Sequence, residues 1–282
     1  MERLFIFFQY LAPHHLLSRC TAFLAELESP KWLINIAIYS FIRIFGVDMD
    51  EAEEADYRRY TTFNDFFTRT LRNAARPLEA ADVVCPADGV INQIGDIQQG
   101  KLLQAKGRCF GTVELLGGDV SRARDFEGGS FATIYLAPRD YHRVHMPLTG
   151  SLSATTYIPG QLFSVNAVTA RHVDGLFARN ERLVCYFDTQ AGPMAMILVG
   201  AMIVAGIETV WSGRMVPPPR RPISLDYRDL PEPVELEKGA EMGRFCLGST
   251  VILMFPANCV TWRQDWVAGT ETRMGRRLGD FV

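Results

Sequence analysis

The chain has 282 residues, enough for one large domain or two small ones, and it is 48% apolar and 22% charged, which excludes a disordered or fibrous chain. A net charge of -3 and a pI near 6.0 argue against nucleic acid as a partner. Of the 29 basic residues only Lys31, Lys101, Lys106 and Lys238 are lysines, so any lysine-based Schiff-base chemistry has four candidates. The cysteines at 20, 85, 109, 185, 246 and 259 are scattered without a C-x-x-C pair, as buried thiols in a reducing compartment would be.

The amino-terminal third reads as helical. Leu4 to Phe8 is a dense aromatic patch, and the uncharged stretch to Ser18 is broken by Pro13 and His14-His15. Leu16, Cys20, Phe23, Leu24 and Leu27 fall at helical spacing. Ser29-Pro30 reads as a cap followed by a first-turn proline, and the helix it opens carries Trp32, Leu33, Ile36, Ile38, Phe41, Ile42 and Phe45 before Gly46 ends it. Thr62-Phe63-Asn64-Asp65 is a capping box, and Phe63, Phe66, Phe67 and Leu71 are expected to share the face of a helix that stops at Arg76-Pro77. None of these segments reaches the roughly 20 residues of a span, and the start Met1-Glu2-Arg3 lacks the features of a secretory signal. Two roles remain open for the apolar helices: a layer packed on the protein's own core, or a dock lying in a bilayer interface.

From Val83 onward, glycine and proline punctuate short β-rich runs: Gly89 to Ile91, Phe131 to Leu136, Leu183 to Phe187, Met196 to Val204 and Thr250 to Phe255. No regular alternation with long helices accompanies them, so a doubly wound parallel sheet is excluded. The expected class is α+β: a helical region over 1–80 packed on a β-rich sandwich or barrel-like body over 81–282. Prolines 217, 218, 219, 222, 231 and 233 mark a surface loop that cannot be a central strand.

Three places carry chemistry. Asp88, in Pro86-Ala87-Asp88-Gly89, is either a turn aspartate or a carboxylate that orients a histidine. His142 and His145 lie three apart at a strand or strand-end, where two separate roles fit better than one metal site. Gly248-Ser249 is neither a hydrolase elbow nor a phosphate loop. A serine directly after an unshielded glycine carbonyl can nevertheless approach it for an internal acyl shift.

Taken in order, Pro86–Gly89, Pro138–Pro147 and Gly243–Val251, with Thr62–Phe67, Leu162–Asn166 and Phe177–Arg182, resemble the bacterial phosphatidylserine decarboxylases, membrane-associated pyruvoyl enzymes made as self-cleaving precursors. The resemblance covers most of the chain. It implies that Asp88 orients His145 and that His145 takes the proton of Ser249, which attacks the Gly248 carbonyl. The ester formed then breaks by β-elimination, and hydrolysis with loss of ammonia leaves a pyruvoyl group on a small chain, 249–282, beside a large chain, 1–248. Ser249 thus becomes the Schiff-base group, and neither pyridoxal phosphate nor a metal is implied. The ketone takes the substrate's amine and acts as electron sink, while His142 returns the proton to the product. The resemblance further implies phosphatidylserine and the cytoplasmic face of the cell membrane as partners, a homodimer, and a substrate contact at Phe163, Ser164 and Asn166. It favours the interfacial dock at the front. The alternative weighed on residues alone is a metal-dependent hydrolase using Asp88, His142 and His145.

Overall fold

The computed structural model describes residues 2–105, 107–202, 206–214, 221–246 and 249–282. The β-rich body forms around one long antiparallel sheet. Its strand order runs Ile223–Asp226, Gly150–Ile158, Arg182–Thr189, Gly192–Val199, Ser249–Phe255, Ser130–Leu136, Gly89–Asp96 and Glu271–Thr272, with Glu235–Leu236 pairing beside Gly150–Ile158. The sheet is open, so the barrel-like option gives way to a layered arrangement of antiparallel sheets.

The central strands are apolar on both faces because both faces are covered. Val251, Leu253 and Phe255 point into one core with Leu183, Cys185 and Leu198, while Ile252 and Met254 point into the other with Val184 and Ile197. The first core is closed by residues of the smaller sheets, including Val83, Ile207, Phe245 and Leu278. The second is closed by short helices and loops that supply Leu115, Phe126, Leu176 and Phe177.

At the front, α1 (Glu2–Leu11), α2 (His14–Ala25), α3 (Lys31–Phe45) and α4 (Phe63–Phe67) follow the helical pattern with three corrections. Thr62 caps α4 as its sequence predicts, accepting from the Asp65 N–H at 3.0 Å, but α4 ends after five residues. Leu71 lies beyond it in a bridge to Ala52, so it does not share the α4 face. Pro30, in extended conformation, takes the N-cap place expected of Ser29. Gly46 ends α3 in the left-handed region at φ 68°, as only glycine does readily.

Sidedness is the larger surprise. The buried face of α2 is His14, Ser18 and Ala25, and α1 turns Ile6 and Gln9 inward. Leu4, Phe5, Phe7, Phe8 and Leu11 on α1, and Leu16, Leu17, Phe23 and Leu24 on α2, face outward. On α3, Ile34 and Ile38 face inward onto Phe66 and Phe67 in a small separate core, while Trp32, Leu33, Ile36 and Ile44 are exposed. The apolar faces are therefore not spent on the body. No described helix is long and apolar enough to cross a membrane.

The expected surface loop holds an edge strand. Ile223–Asp226 pairs with Gly150–Ile158, and all four of its residues are exposed. An edge is the one place in a sheet that so proline-rich a neighbourhood tolerates.

A buried amide ties the central sheet to the seat of α1. The Asn180 side chain accepts from the Phe163 N–H at 3.1 Å and donates to the carbonyls of Phe163 and Gly200 at 2.8 and 2.9 Å. Removing it leaves three buried backbone groups without partners, a loss of about 3 kcal/mol. Asn180→Ala is expected to lower the melting temperature by about 5 °C or more in a thermal scan. An unchanged melting temperature would show that the amide contributes nothing net.

Candidate active site

Asp88 is positioned by a backbone crossing. Gly89 has φ 152°, and a Cβ there would lie 2.2 Å from the Tyr135 carbonyl oxygen, so only glycine lets the chain pass. The Asp88 carboxylate is buried and strongly held. Arg76 donates to it from Nε at 2.9 and 3.0 Å and from Nη2 at 2.5 Å, and the Met274 N–H adds a bond at 2.8 Å. The same Arg76 Nη2 reaches Glu51 at 2.6 Å. Burial works against the arginine's charge, but its bonds to Asp88 and Glu51 outweigh burial and raise its pKa. The Arg76 bond in turn lowers the Glu51 pKa.

His145 ends the strand Arg143–His145, whose backbone is tied to the Asp88 turn by the His145 N–H bond to the Pro86 carbonyl at 2.8 Å. Its Nδ1 lies 2.8 Å from the Gly239 carbonyl, and its Nε2 lies 3.1 Å from the Tyr141 hydroxyl. A carbonyl only accepts, so Nδ1 carries the hydrogen and Nε2 presents its lone pair, to which Tyr141 donates. Burial pushes the His145 pKa below its ordinary 6.5. Burial also pushes the Tyr141 hydroxyl up to about 12, which keeps it a donor. The ring is thus a neutral base in a fixed tautomer.

His142 is fully buried and lies nearly parallel to Phe67, with ring centres 4.0 Å apart. Among the described residues neither ring nitrogen makes a hydrogen bond of normal geometry, although the backbone of Ala137 and Pro138 lies close enough to favour the charged ring slightly. Burial, and then the nearby charge of Arg69, lowers its pKa to about 3. Its carbonyl accepts from the Phe245 N–H at 3.1 Å, which ties it to the strand leading toward residue 249. Ser249 opens the central strand opposite Leu136; it is buried, and its hydroxyl has no partner among the described residues. Gly248, the expected cleavage carbonyl, lies outside the described residues.

The expected triad residues occupy neighbouring segments but hold different partners: Arg76 and Met274 for Asp88, Gly239 and Tyr141 for His145, none for the Ser249 hydroxyl. Asp88 reaches His145 only through its charge, which nudges the imidazole pKa upward. Asp88, His142 and His145 therefore do not converge as the metal-hydrolase alternative requires, and the described residues include no group of three metal-ligating side chains.

Phe163, Ser164 and Asn166 seat the front. The Phe163 ring meets Tyr10 and His14 edge-on, each with centres 5.0 Å apart, and the Arg179 guanidinium lies over it at 5.3 Å. The Ser164 N–H donates to Gln9 Oε1 at 2.8 Å, and Asn166 caps the Ala167–His172 helix. Sequence reasoning missed Arg76, which reads as a helix end, and Gly239, whose carbonyl role no side chain announces. Tyr141 stood in plain view beside His142.

Comparisons with known proteins identify the family. The family model for phosphatidylserine decarboxylase matches residues 63–280, and a second model described as PSD matches 4–46. A phosphatidylserine decarboxylase proenzyme of Ectopseudomonas mendocina is 54% identical over 282 residues, covering 99% of this chain and 98% of its own. That of Azotobacter vinelandii is also 54% identical, over 281 residues, with 99% and 98% covered. That of Alcanivorax borkumensis is 51% identical over 284 residues, with 100% and 97% covered. With similarity at this level along its whole length, the chain belongs to the phosphatidylserine decarboxylase family, enzymes that convert phosphatidylserine to phosphatidylethanolamine in phospholipid synthesis.

Proposed function

We propose that the precursor cuts itself between Gly248 and Ser249 and that the enzyme then works on lipid held at a bilayer by residues 1–80. The observation that carries the first part is the Ser249 hydroxyl: buried at the head of the central strand, with no hydrogen-bond partner among the described residues. The hydroxyls of Thr250, Ser130 and Thr133 on the paired strands share that lack, so what distinguishes Ser249 is its place at the head of the strand, directly after the glycine whose carbonyl it would attack.

In this reading His145 Nε2 takes the Ser249 proton as the hydroxyl oxygen bonds to the Gly248 carbonyl carbon, and the imidazolium then gives that proton to the peptide nitrogen, which leaves the carbon as an amine. Tyr141 gives up its bond to Nε2 for that transfer, and the Gly239 carbonyl keeps the imidazole in the required tautomer. Asp88 adds its negative charge to the neighbourhood of the imidazolium, as a triad carboxylate does.

The site suits a pyruvoyl group at position 249. Ser249 begins a strand paired with Leu136 on one side, and its neighbour Thr250 pairs with Val199 on the other, so a new amino terminus stays where it was made. A pyruvoyl group bound there supplies the electron sink for loss of carbon dioxide. His142 is assigned the proton returned to the product; because burial keeps the ring neutral, the proton it gives is that of a ring N–H, and its stacking on Phe67 holds the ring in place. Phe163, Ser164 and Asn166 serve the substrate indirectly, by fixing α1 at the lipid-facing edge.

The outward apolar faces of α1, α2 and α3 support the peripheral dock, on the cytoplasmic face of the cell membrane. Each large side chain buried in lipid contributes about 1.5–3 kcal/mol.

Three measurements test these assignments. Intact mass should show the 31.7 kDa wild-type chain replaced by fragments 1–248 and 249–282, the latter with a blocked terminus, while Ser249→Ala and His145→Ala stay whole. An uncut wild-type chain after long incubation sinks the proposal. The cleavage rate should fall on acidification, because only neutral His145 accepts the proton. Since burial depresses its pKa, the midpoint should lie below 6.5 in a pH series on fresh precursor. Replacing Leu4 and Phe8 together by glutamate should cut co-sedimentation with phospholipid vesicles by tenfold or more while self-cleavage continues. Unchanged sedimentation of that variant would remove the dock.

A further inference from the structure

Among the described residues, two arginines are buried without a carboxylate partner, and they differ. Arg182 is satisfied: its guanidinium donates to the carbonyls of Leu115, Asn180 and Glu114 at 2.7, 2.8 and 2.6 Å. Arg69 is not. It is 4% exposed; its Nη2 makes one long bond to the Arg139 carbonyl at 3.4 Å, and its Nε has no partner. Its guanidinium lies 5.6 Å over the Phe66 ring, a partial compensation. A buried cation with unfilled donors is costly unless something else fills them.

What lies beside Arg69 is a polar cavity of about 650 Å³, whose wall also includes Asp88, Tyr141 and Arg139. Arg69 lines a second cavity too, of about 340 Å³, with Tyr60 and Arg143. Of the other arginines on this wall, Arg76 pairs with Asp88 and Glu51, Arg139 with Glu271 and Arg273 with Glu51, while Arg276 is exposed to solvent and not desolvated as Arg69 is. Arg69 therefore places a desolvated guanidinium on the wall of a cavity that it shares with Asp88 and with Tyr141, the hydroxyl partner of His145.

We propose that Arg69 is an oxyanion-binding residue of the substrate site and that it holds the phosphodiester of the lipid headgroup. This rests on the decarboxylase reading above. A guanidinium fork matches two oxygens of a phosphate. The substrate's other anion, its carboxylate, is the wrong partner. That group loses its charge as carbon dioxide leaves, so a cation on it would stabilise the ground state more than the transition state. The phosphodiester keeps its charge throughout. A contact made equally in both states acts on KM and spares kcat.

The experiment uses the full chain after self-cleavage, with phosphatidylserine in vesicles as substrate. Arg69→Gln should still cleave itself but show KM raised about tenfold or more, with kcat within about threefold, and Arg69→Lys should fall between it and wild type. Soluble glycerophosphoserine should compete with lipid in wild type and much less in Arg69→Gln. A wild-type KM in Arg69→Gln, or a loss confined to kcat, overturns the inference. Competition by inorganic phosphate with none by glycerophosphoserine also overturns it, in favour of a free-phosphate site. If Arg69→Gln does not fold, Arg69→Lys decides, and a wild-type KM there counts against the proposal. The decarboxylase reading fails separately, if cleaved wild-type protein yields no phosphatidylethanolamine.

Discussion

The strand Ser249–Phe255 is the constraint on which the rest depends. It pairs along its whole length with Ser130–Leu136 and over Thr250–Met254 with Gly192–Val199, and every residue in it is buried. Its side chains alternate between the two cores, so a slip of one residue would exchange every contact at once. Burying Val251 through Phe255 contributes on the order of 10 kcal/mol as an upper bound. Farther along, Glu271–Thr272 pairs with the start of Gly89–Asp96, the Met274 N–H holds Asp88, and Arg277–Phe281 bridges two strands of another sheet. A segment anchored at so many points does not need the peptide bond at its head to stay in place. A chemistry that sacrifices that bond is compatible with the fold for this reason.

The electrostatics of the site follow from the same burial. His145 is kept neutral by its surroundings and has its tautomer set by a backbone carbonyl, so a proton acceptor exists at Nε2 without an aspartate on Nδ1. Asp88 is committed to Arg76, and removing either partner would strand the other's charge in a poorly hydrated place. The carboxylate therefore acts on the imidazole through its field unless the Arg76 pair opens. Arg76 lies between the helical front and the small-chain segment, because Glu51, which it also binds, is held by Arg273. One ion-pair chain thus couples three parts of the molecule around Asp88.

Much of this was legible in the sequence, where local physics decides the outcome. The strand runs were visible because two-sided burial leaves continuous apolar segments, and the Thr62 cap because its bond spans only three residues. The block around His142 and His145 pointed to the candidate site, and order along the chain named Asp88 and Ser249 with it. The partners were hidden because they are distant in sequence and some are backbone atoms. Gly239 meets His145 from 94 positions away, and Met274 meets Asp88 from 186. The shortness of α4 was hidden for a related reason, since Leu71 has the right spacing for the helix face but is drawn off by pairing with Ala52. Periodicity also says which residues share a face without saying which way that face points, and on α2 the apolar face points out.

That inversion connects the front to the chemistry. A helix that turns His14 and Ser18 inward and Leu16 and Phe23 outward is built for surroundings less polar than the protein surface it covers. The inward contacts are specific: Gln9 bonds Ser164 and Thr169, and Tyr10 and His14 pack on Phe163. On α3 the outward Trp32 and Ile36 back onto Ile34 and Ile38, which pack with Phe66 and Phe67 in one core, and Phe67 lies flat against His142. The proposed lipid face is therefore separated from the proposed proton donor by a short run of packed side chains. Close packing leaves such a run little freedom to adjust independently. α3 packs on Phe67 and Phe67 on the His142 ring, so the proposed dock and the proposed proton donor share one run of packed side chains.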